Sequence, residues 1–262
     1  MGCTGRQEAG QKMEWIHVLG CPITKLRLED FVTLAEQFIS TKKPHYIAVV
    51  NAAKLVKMRR DKELERSVLA ADAIGADGVP VVWASQLLGT PLPGRVNGTD
   101  LMYKLLEKAD ARGYRIFFFG ARQEVLQKVV AKVRSRYPGV HIAGAQHGYF
   151  RPEDEPAIVQ KIRTANTDIL FIGFGTPKKE LWVGRYLQEM HVPVCHGVGG
   201  SFDVFAGVVR RAPSWMQRSG LEWFFRLCQE PTRLWQRYLV TNTVFIWLVL
   251  KEFMAHRQRL VE

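Results

Sequence analysis

Short apolar runs alternate with longer amphipathic segments between about residues 45 and 200. The runs are rich in β-branched and aromatic residues, and each ends at glycine, asparagine or a small residue. They are YIAVV (from residue 46), VPVVWA (79), RIFFFG (115), VHIAG (140), DILFIGFG (168) and VPVCHGVGG (192). The segments between them repeat apolar residues every three or four positions, as amphipathic helices do. This alternation predicts an α/β fold, with a Rossmann-like, mainly parallel sheet flanked by helices.

The composition changes on either side of this region. Residues 1–44 predict an N-terminal leader and a first helix, residues 45–207 a catalytic Rossmann-like domain, and residues 208–262 a helical appendage rich in arginine and aromatic residues. Within the appendage, YLVTNTVFIWLVL is shorter than the roughly 18 residues that span a bilayer, and it contains Thr241, Asn242 and Thr243. We expect the appendage to associate with a membrane surface without crossing it.

Charge and cysteine content narrow the class of protein. The chain has 37 basic and 25 acidic side chains, a net charge of +12. This excess suggests a nucleic acid, an anionic membrane face or a phosphorylated substrate as partner, although a basic surface also occurs in proteins that bind none of these. The four cysteines lie far apart without metal-ligand spacing, which fits a reducing compartment. The first residues lack the apolar core of a secretory signal, so we predict cytosolic residence.

The loops that follow the predicted strands are candidates for ligand binding. Right-handed crossovers place these loops along one edge of the sheet, where ligands bind in such folds. In GFGTPKKE we expect Thr176 to cap the next helix and Pro177 to be its first residue. HGVGGSFD and FFGARQE are further glycine-rich loops. Any one of them could be only a tight turn, but several on one edge favour a nucleotide site. The candidate glycines are Gly120, Gly173, Gly175, Gly199 and Gly200.

Signatures of several other ligands are missing from the sequence. GFGTPK and GVGGSF lack the third glycine of a dinucleotide fingerprint, and no G-x-x-x-x-G-K-[ST] P-loop occurs. No Asp-x-Asp follows a strand run, and no histidine pair has helical spacing. These absences argue against hydride transfer, ATP hydrolysis and a metal site, and we expect no cofactor.

Several individual polar residues are candidates for a catalytic or ligand-binding role. Asp77 lies in an Ala-Asp-Gly turn that we expect to lead into a buried strand. A partly desolvated carboxylate there suits a general base, and a turn aspartate bonded to its own backbone is an equal alternative. Arg95 follows a proline-rich loop from which its guanidinium could reach a diphosphate. Asn51 could bind a sugar or base or cap the next helix, and we favour the cap. Asp100 is interpreted as a helix-start acid.

Arginines alternate with aromatic residues in the appendage. Aromatic rings favour the headgroup boundary and arginines favour lipid phosphates, so we interpret the appendage first as a membrane-binding element. A folded core with a solvated rim is the second interpretation, and nucleic-acid binding is the last. The arginines assigned to membrane or acceptor binding are Arg211, Arg218, Arg226, Arg233 and Arg237.

Seven motifs, taken in order over about residues 45 to 245, resemble the bacterial WecG/TagA/CpsF glycosyltransferase family. They are NAAKLV, ADGVPVVWAS, LPGRVNGTDL, GYF, GFGTPKKELW, GVGGSFDVFAG and RRAPSWMQRSGLEWFFRLCQEPTRLWQRYL. The resemblance implies metal-independent, inverting transfer of a sugar from a UDP-sugar to a polyprenyl-diphosphate-linked glycan, by an enzyme bound peripherally to the inner face of the cell membrane. N-acetylmannosamine, its uronic acid and glucose all remain open as the donor sugar, and an oligomer is allowed.

The resemblance also implies residue roles. Asp77 would be the base that takes a proton from the acceptor hydroxyl, Arg95 would steady the leaving diphosphate, and the appendage arginines would find the membrane and close the site. The matched motifs place further residues in substrate binding: Asn51, Gly148, Tyr149, Pro177, Lys179, Glu180 and the loop glycines.

Two departures from the family pattern bear on the donor. Val49 stands where many relatives have threonine, and Lys179 stands where they often have glutamine. Both changes leave the donor sugar open but not the reaction class. The alternative function is a non-catalytic, nucleotide-binding membrane scaffold of a polysaccharide assembly complex, which a transfer assay would separate from an enzyme.

Overall fold

The computed structural model describes residues 13–259, so most of the expected leader lies outside the described residues. The strands are β1 (Trp15–Val18), β2 (Cys21–Thr24), β3 (Tyr46–Val50), β4 (Ala73–Ala76), β5 (Arg115–Gly120), β6 (His141–Gln146), β7 (Ile169–Gly173) and β8 (Val194–Gly197). The helices of the α/β region are α1 (Leu28–Thr41), α2 (Ala52–Met58), α3 (Lys62–Leu69), α4 (Val79–Leu87), α5 (Gly98–Arg112), α6 (Gln123–Arg136), α7 (Glu155–Thr164), α8 (Lys178–Met190) and α9 (Ser201–Ala206). A short 3-10 helix, Pro152–Asp154, precedes α7. The C-terminal helices are α10 (Ser214–Arg218), α11 (Glu222–Gln229) and α12 (Pro231–Arg259).

Within the described residues, six strands form the main sheet, in the order β4, β3, β8, β7, β5, β6, and every neighbouring pair is parallel. All residues of β3 and β4 are buried, as expected where helices cover both faces of a parallel sheet. The predicted α/β, Rossmann-like fold is therefore confirmed. The strand order also brings the carboxyl ends of β4, β3 and β8 side by side.

One strand was assigned to the wrong segment. The run VPVVWA, expected to be a strand from residue 79, forms helix α4, and the strand is the preceding segment Ala73–Ala76, which was not assigned to a strand from the sequence. An unbroken apolar run fits either element, and Pro80 in its first turn is compatible with a helix. In α4, Val81 is buried whereas Trp83 is exposed, so only one side of the run packs against the body. Asp77 therefore follows a strand and precedes a helix.

Two further elements were not expected. An antiparallel hairpin, β1 and β2, precedes the first helix, with Val18 paired to Cys21 across the turn. The long helical segment after β3 divides into α2 and α3, because the Asp61 side chain accepts a hydrogen bond from the Leu64 amide and so starts a new helix. The hairpin contributes no predicted site residue, whereas Asn51 immediately precedes α2 and Lys54 lies within it.

The C-terminal helix α12 packs against α2 and is continuous with the main core. Phe245 and Val249 are 4% and 5% exposed and belong to the same apolar cluster as the side chains of β3 and α2. Removing residues 208–262 would therefore expose core as well as remove the appendage. Among residues 13–259, no helix combines the length and apolar character needed to span a bilayer.

Candidate active site

Asp77 lies at the carboxyl edge of the sheet. Its amide donates to the Val50 carbonyl at 2.8 Å, which extends the pairing of β4 with β3. Because Val50 pairs with Ala76, the following residues, Asn51 and Asp77, emerge side by side. The Asn51 side chain accepts from the Lys54 amide at 3.0 Å, so the predicted cap is confirmed. Gly78, with φ of 109°, turns the chain into α4.

Asn97 holds the Asp77 carboxylate and was not identified from the sequence. Its side-chain amide donates to Asp77 Oδ1 at 2.9 Å. Its own oxygen accepts from the Thr99 amide at 2.9 Å and so caps α5. The cap fixes which end of the Asn97 amide faces Asp77. The capping pattern Asn-Gly-Thr-Asp was visible in the sequence, but its contact with Asp77 was not.

The surroundings of Asp77 act on its charge in opposite directions. Burial raises the pKa of the Asp77 carboxyl above its usual value. The Arg226 guanidinium opposes this most strongly, and Glu222 reinforces it. Lys54 and Arg95 also favour the ionised form. The carboxylate thus has a proton affinity higher than that of an ordinary aspartate, in a setting where two arginines and a lysine compensate for its burial.

Arg95 and the appendage meet at Glu222. Arg95 Nη1 lies 3.5 Å from Glu222 Oε2, and Arg226 Nη2 lies 3.2 Å from Glu222 Oε1. Arg211 donates to the Asp100 carboxylate in the first turn of α5, where Asp100 was expected. The structure therefore brings Arg95 close to Arg226 of α11 through Glu222, and it ties Arg211 to the start of α5 through Asp100. It does so through acidic residues that the sequence did not single out for this role.

A buried charge cluster lies under the same edge. Lys54 Nζ and Lys179 Nζ lie 2.7 and 2.9 Å from the same oxygen, Glu180 Oε1. All three side chains are buried, and Lys54 also donates to the Val49 carbonyl at 2.6 Å. Burial, together with the Lys54 charge, lowers the pKa of Lys179 to about 8. Burial acts to raise the pKa of Glu180, but the two lysines hold it at about 2.

This cluster corrects the expected start of α8. Thr176 does not cap the helix and Pro177 is not its first residue, because α8 begins at Lys178 and Pro177 takes the capping position. The Thr176 hydroxyl instead donates to Glu180 Oε1 at 3.0 Å and accepts from Lys179 Nζ at 2.8 Å. Buried charges compete for the hydroxyl, which is why a local capping pattern failed here.

The glycines of the edge loops fall into two groups, those that are closely packed and those with open space around them. A Cβ on Gly173 would lie 2.4 Å from the Phe202 ring, and one on Gly120 would lie 2.7 Å from the backbone of Gly173, so packing alone requires both. A Cβ on Gly175 or Gly200 would meet nothing within 4 Å. These two positions are the more open ones. Gly199 has φ of 56°, and a Cβ there would lie 3.8 Å from Lys179 Nζ, so its turn lies directly over the charge cluster.

His196 is a second buried titratable residue that the sequence did not single out. Its ring nitrogens lie 3.1 Å from the Ile47 carbonyl and 3.3 Å from the Gly98 carbonyl. Burial lowers its pKa to about 4, so the imidazole is neutral at pH 7. The ring connects β8, β3 and the first residue of α5, and thereby supports the helix start at which Asn97 holds Asp77.

Gly148 and Tyr149 lie apart from Asp77. They follow β6, and the sheet order places four strands between β6 and β4. Lys178 Nζ donates to the Gly148 carbonyl at 3.1 Å and lies 3.9 Å from the centroid of the Phe150 ring. Tyr149 is 71% exposed and lines an open cavity of about 260 Å³. The GYF motif therefore marks the far end of the candidate edge, distant in sheet order from the carboxylate.

The appendage presents apolar side chains to solvent. Arg218, Arg233 and Arg237 are in α10 and α12, but their side chains lie outside the described part of the chain. Large apolar residues of α12 recur at helical spacing on one face and are all exposed, a set we call the α12 apolar stripe: Trp235, Leu239, Ile246 and Leu250. Over residues 13–259, no cluster of three or more histidine, cysteine or acidic side chains has a geometry that could hold a metal ion.

Comparison with known proteins identifies similar chains. The model of the glycosyl transferase WecG/TagA/CpsF family matches residues 16–259. An N-acetylglucosaminyldiphosphoundecaprenol N-acetyl-β-D-mannosaminyltransferase of Bacillus subtilis strain 168 is 37% identical over 240 residues, 91% of this chain and 91% of that protein. A protein of the same name from Bacillus spizizenii strain W23 is 37% identical over 213 residues, 81% of this chain and 82% of that protein.

Proposed function

The chain belongs to the WecG/TagA/CpsF family of glycosyl transferases, and from this we propose that it moves a sugar from a UDP-sugar to a polyprenyl-diphosphate-linked glycan for a cell-surface polysaccharide. The names of both relatives favour N-acetylmannosamine over glucose as the sugar, and a diphosphoundecaprenol-linked N-acetylglucosamine as the acceptor. The observation that carries the proposal is the Asp77 carboxylate, held by Asn97 at the carboxyl edge and close enough to Arg95 and Arg226 for their charges to act on it.

In the proposed reaction Asp77 is the general base. Its carboxylate accepts the proton of an acceptor hydroxyl while that oxygen attacks the anomeric carbon of the donor. The bond from the anomeric carbon to the phosphate oxygen breaks as the new bond forms, and UDP departs with the electron pair. A single displacement of this kind inverts the anomeric carbon. The raised pKa of Asp77 suits this role, because a stronger base accepts the proton more readily.

Charge on the departing diphosphate would be balanced by side chains of this chain. Arg95 belongs to the body and Arg226 to α11, and both face the same carboxylate, Glu222. Guanidinium groups suit a diphosphate because they donate two parallel hydrogen bonds to its oxygens. We place the donor along the open positions of the edge, from Asn51 to Gly175 and Gly200, with no metal in the mechanism.

A transfer assay tests this function. We expect radiolabelled UDP-N-acetylmannosamine to give a labelled product with a short-chain polyprenyl-diphosphate-linked N-acetylglucosamine, and the product to have the inverted anomeric configuration. UDP-glucose and the UDP-linked uronic acid, assayed in parallel, rank the donors. Protection by UDP against thermal unfolding, combined with no transfer from any of the three donors, would contradict the enzyme and favour the scaffold.

We also propose that the enzyme is peripheral on the inner face of the membrane and that the α12 apolar stripe contacts lipid. One apolar face of α12 packs on the body, and the stripe leaves a second apolar face exposed to solvent. Burying such a face in lipid is favourable, and exposed tryptophan favours the lipid headgroup region. Exposed Trp215 and Phe224 of α10 and α11 extend the apolar surface. The net charge of +12 adds attraction to anionic lipid.

Replacing three residues of the stripe (Trp235, Leu239 and Ile246) by serine should weaken cosedimentation with vesicles containing anionic phospholipid by about tenfold or more, because the lost apolar area drives insertion. The measurement is the bound fraction against lipid concentration. A matched variant replaces three exposed polar residues of the same helix by serine, Gln236, Thr243 and Gln258, and should bind as wild type does. Equal loss in both variants, or loss in neither, would refute the assignment.

A further inference from the structure

Glu222 bridges two guanidinium groups from different parts of the chain. Its Oε2 lies 3.5 Å from Arg95 of the body, and its Oε1 lies 3.2 Å from Arg226, one helical turn further along α11. The Glu222 side chain is 13% exposed, so this carboxylate is largely withdrawn from water. A single negative charge therefore lies between Arg95 and Arg226, two of the positive charges that act on Asp77.

The turn before α11 fixes this position. Gly220 has φ of 78°, and a Cβ placed on it would lie 3.0 Å from the Cβ of Val79, which is two residues after Asp77. The close approach of backbone to Val79 brings the first residues of α11 against the loop that carries Asp77. Glu222 in the first turn of α11 lies within reach of Arg95, and its charge acts on Asp77 together with those of Arg95 and Arg226.

A diphosphate and Glu222 compete for the same guanidinium groups. Two anions at a few ångströms repel each other, and an N–H that points at Glu222 is not available to the diphosphate. The 3.5 Å separation between Glu222 and Arg95 is longer than the roughly 2.7 to 2.9 Å of a good charge-assisted hydrogen bond. A diphosphate carries more charge and more acceptor oxygens than a carboxylate, so it should replace Glu222 at Arg95.

We propose that Glu222 is a built-in competitor of the donor: it holds Arg95 and α11 together while the site is empty, and the diphosphate of the donor displaces it. This inference rests on the proposed function, because it takes the donor to carry a diphosphate. Displacement breaks the contact between Glu222 and Arg95, so the link between α11 and the body then depends on the diphosphate, which Arg95 and Arg226 would both contact. Glu222 is thus a residue that sets donor affinity and links it to the position of α11.

The test is Glu222→Gln in the full chain, with UDP and inorganic pyrophosphate as probes in calorimetric titrations. Glutamine keeps the size of the side chain but removes the charge, so both probes are expected to bind about three- to tenfold more tightly. Glu63→Gln is the matched control, because Glu63 is an exposed acid in the first turn of α3, as Glu222 is an acid in the first turn of α11. In an Arg95→Gln background, the Glu222→Gln change should alter affinity less than twofold.

Each outcome has a distinct meaning. Unchanged or weaker binding of both probes by Glu222→Gln would overturn the inference, since a residue that only positions Arg95 would weaken binding when removed. If the proposed UDP donor is wrong, UDP will bind no better than pyrophosphate to any variant, yet Glu222→Gln will still tighten pyrophosphate binding. Failure of wild type and of Glu222→Gln to bind either probe would overturn the inference as well.

Discussion

Asp77→Asn should lower the rate of sugar transfer about a hundredfold to ten-thousandfold, because asparagine has no lone pair basic enough to take the acceptor proton. The two side chains have nearly the same shape, and a flipped asparagine amide can still face Asn97. UDP affinity is therefore expected to stay within about threefold of wild type, and the melting temperature should not fall. The measurements are initial rates with saturating donor and acceptor, UDP titration and thermal unfolding.

A matched control is Asp61→Asn. Asp61 caps α3 by accepting from the Leu64 amide, and asparagine caps almost equally well. It should transfer sugar as wild type does. Turnover of Asp77→Asn within tenfold of wild type would remove Asp77 from the role of base, whatever the control shows.

The pH dependence of activity provides a second test of the role of Asp77. Because burial raises the pKa of Asp77, the carboxylate is protonated at a higher pH than an exposed aspartate would be. We expect kcat/KM to fall as pH decreases, with a midpoint above the usual aspartate range. Arg226→Gln should move that midpoint upward, since the Arg226 charge is the strongest influence that favours the ionised form. A midpoint unmoved by this change would contradict the assignment of the limb to Asp77.

Glu180→Gln is expected to destabilise the fold by about 3 to 5 kcal/mol, because it leaves two buried ammonium groups without their shared carboxylate. Lys54 and Lys179 lie 2.7 and 2.9 Å from the Glu180 oxygen, and all three are buried. The free energy of unfolding, measured with denaturant at pH 7, tests this. Glu65→Gln breaks the surface pair with Lys62, where exposure should limit the loss to about 1 kcal/mol or less. Equal losses in the two variants would contradict the importance of burial.

The pH dependence of this loss has a definite sign. The two lysines hold the pKa of Glu180 at about 2, below its ordinary value of 4.5. Between these values the unfolded chain binds more protons at this residue than the folded chain, so its contribution to stability falls as pH decreases. The difference in free energy of unfolding between wild type and Glu180→Gln should therefore be full above about pH 4.5 and shrink toward pH 2. A difference that grows with acid would contradict the assignment.

Local features of the sequence were reliable where they reflected short-range geometry. Asn51 was assigned as a cap and caps α2, and Asp100 was assigned to a helix start and lies in the first turn of α5. The run VPVVWA was misassigned because six consecutive apolar residues fit a buried strand and a buried helix equally well. Thr176 was misassigned for a different reason: its hydroxyl is used by the buried Lys179 and Glu180.

The sequence by itself determined the parallel sheet, since runs of β-branched residues alternating with amphipathic segments have few other ways to bury their apolar faces. It also placed Asp77 at an edge of the sheet, but in a turn before a strand, whereas the structure puts it after β4, at the carboxyl edge. Only the tertiary structure decided which charges meet there: Asn97 with Asp77, Glu222 with Arg95, and Lys54 with Glu180. Each of these contacts joins residues far apart in the chain, and their pairing depends on how helices and strands pack. No periodicity or local motif shows which distant residues will meet, so the charged contacts of the site could be identified only from the tertiary structure.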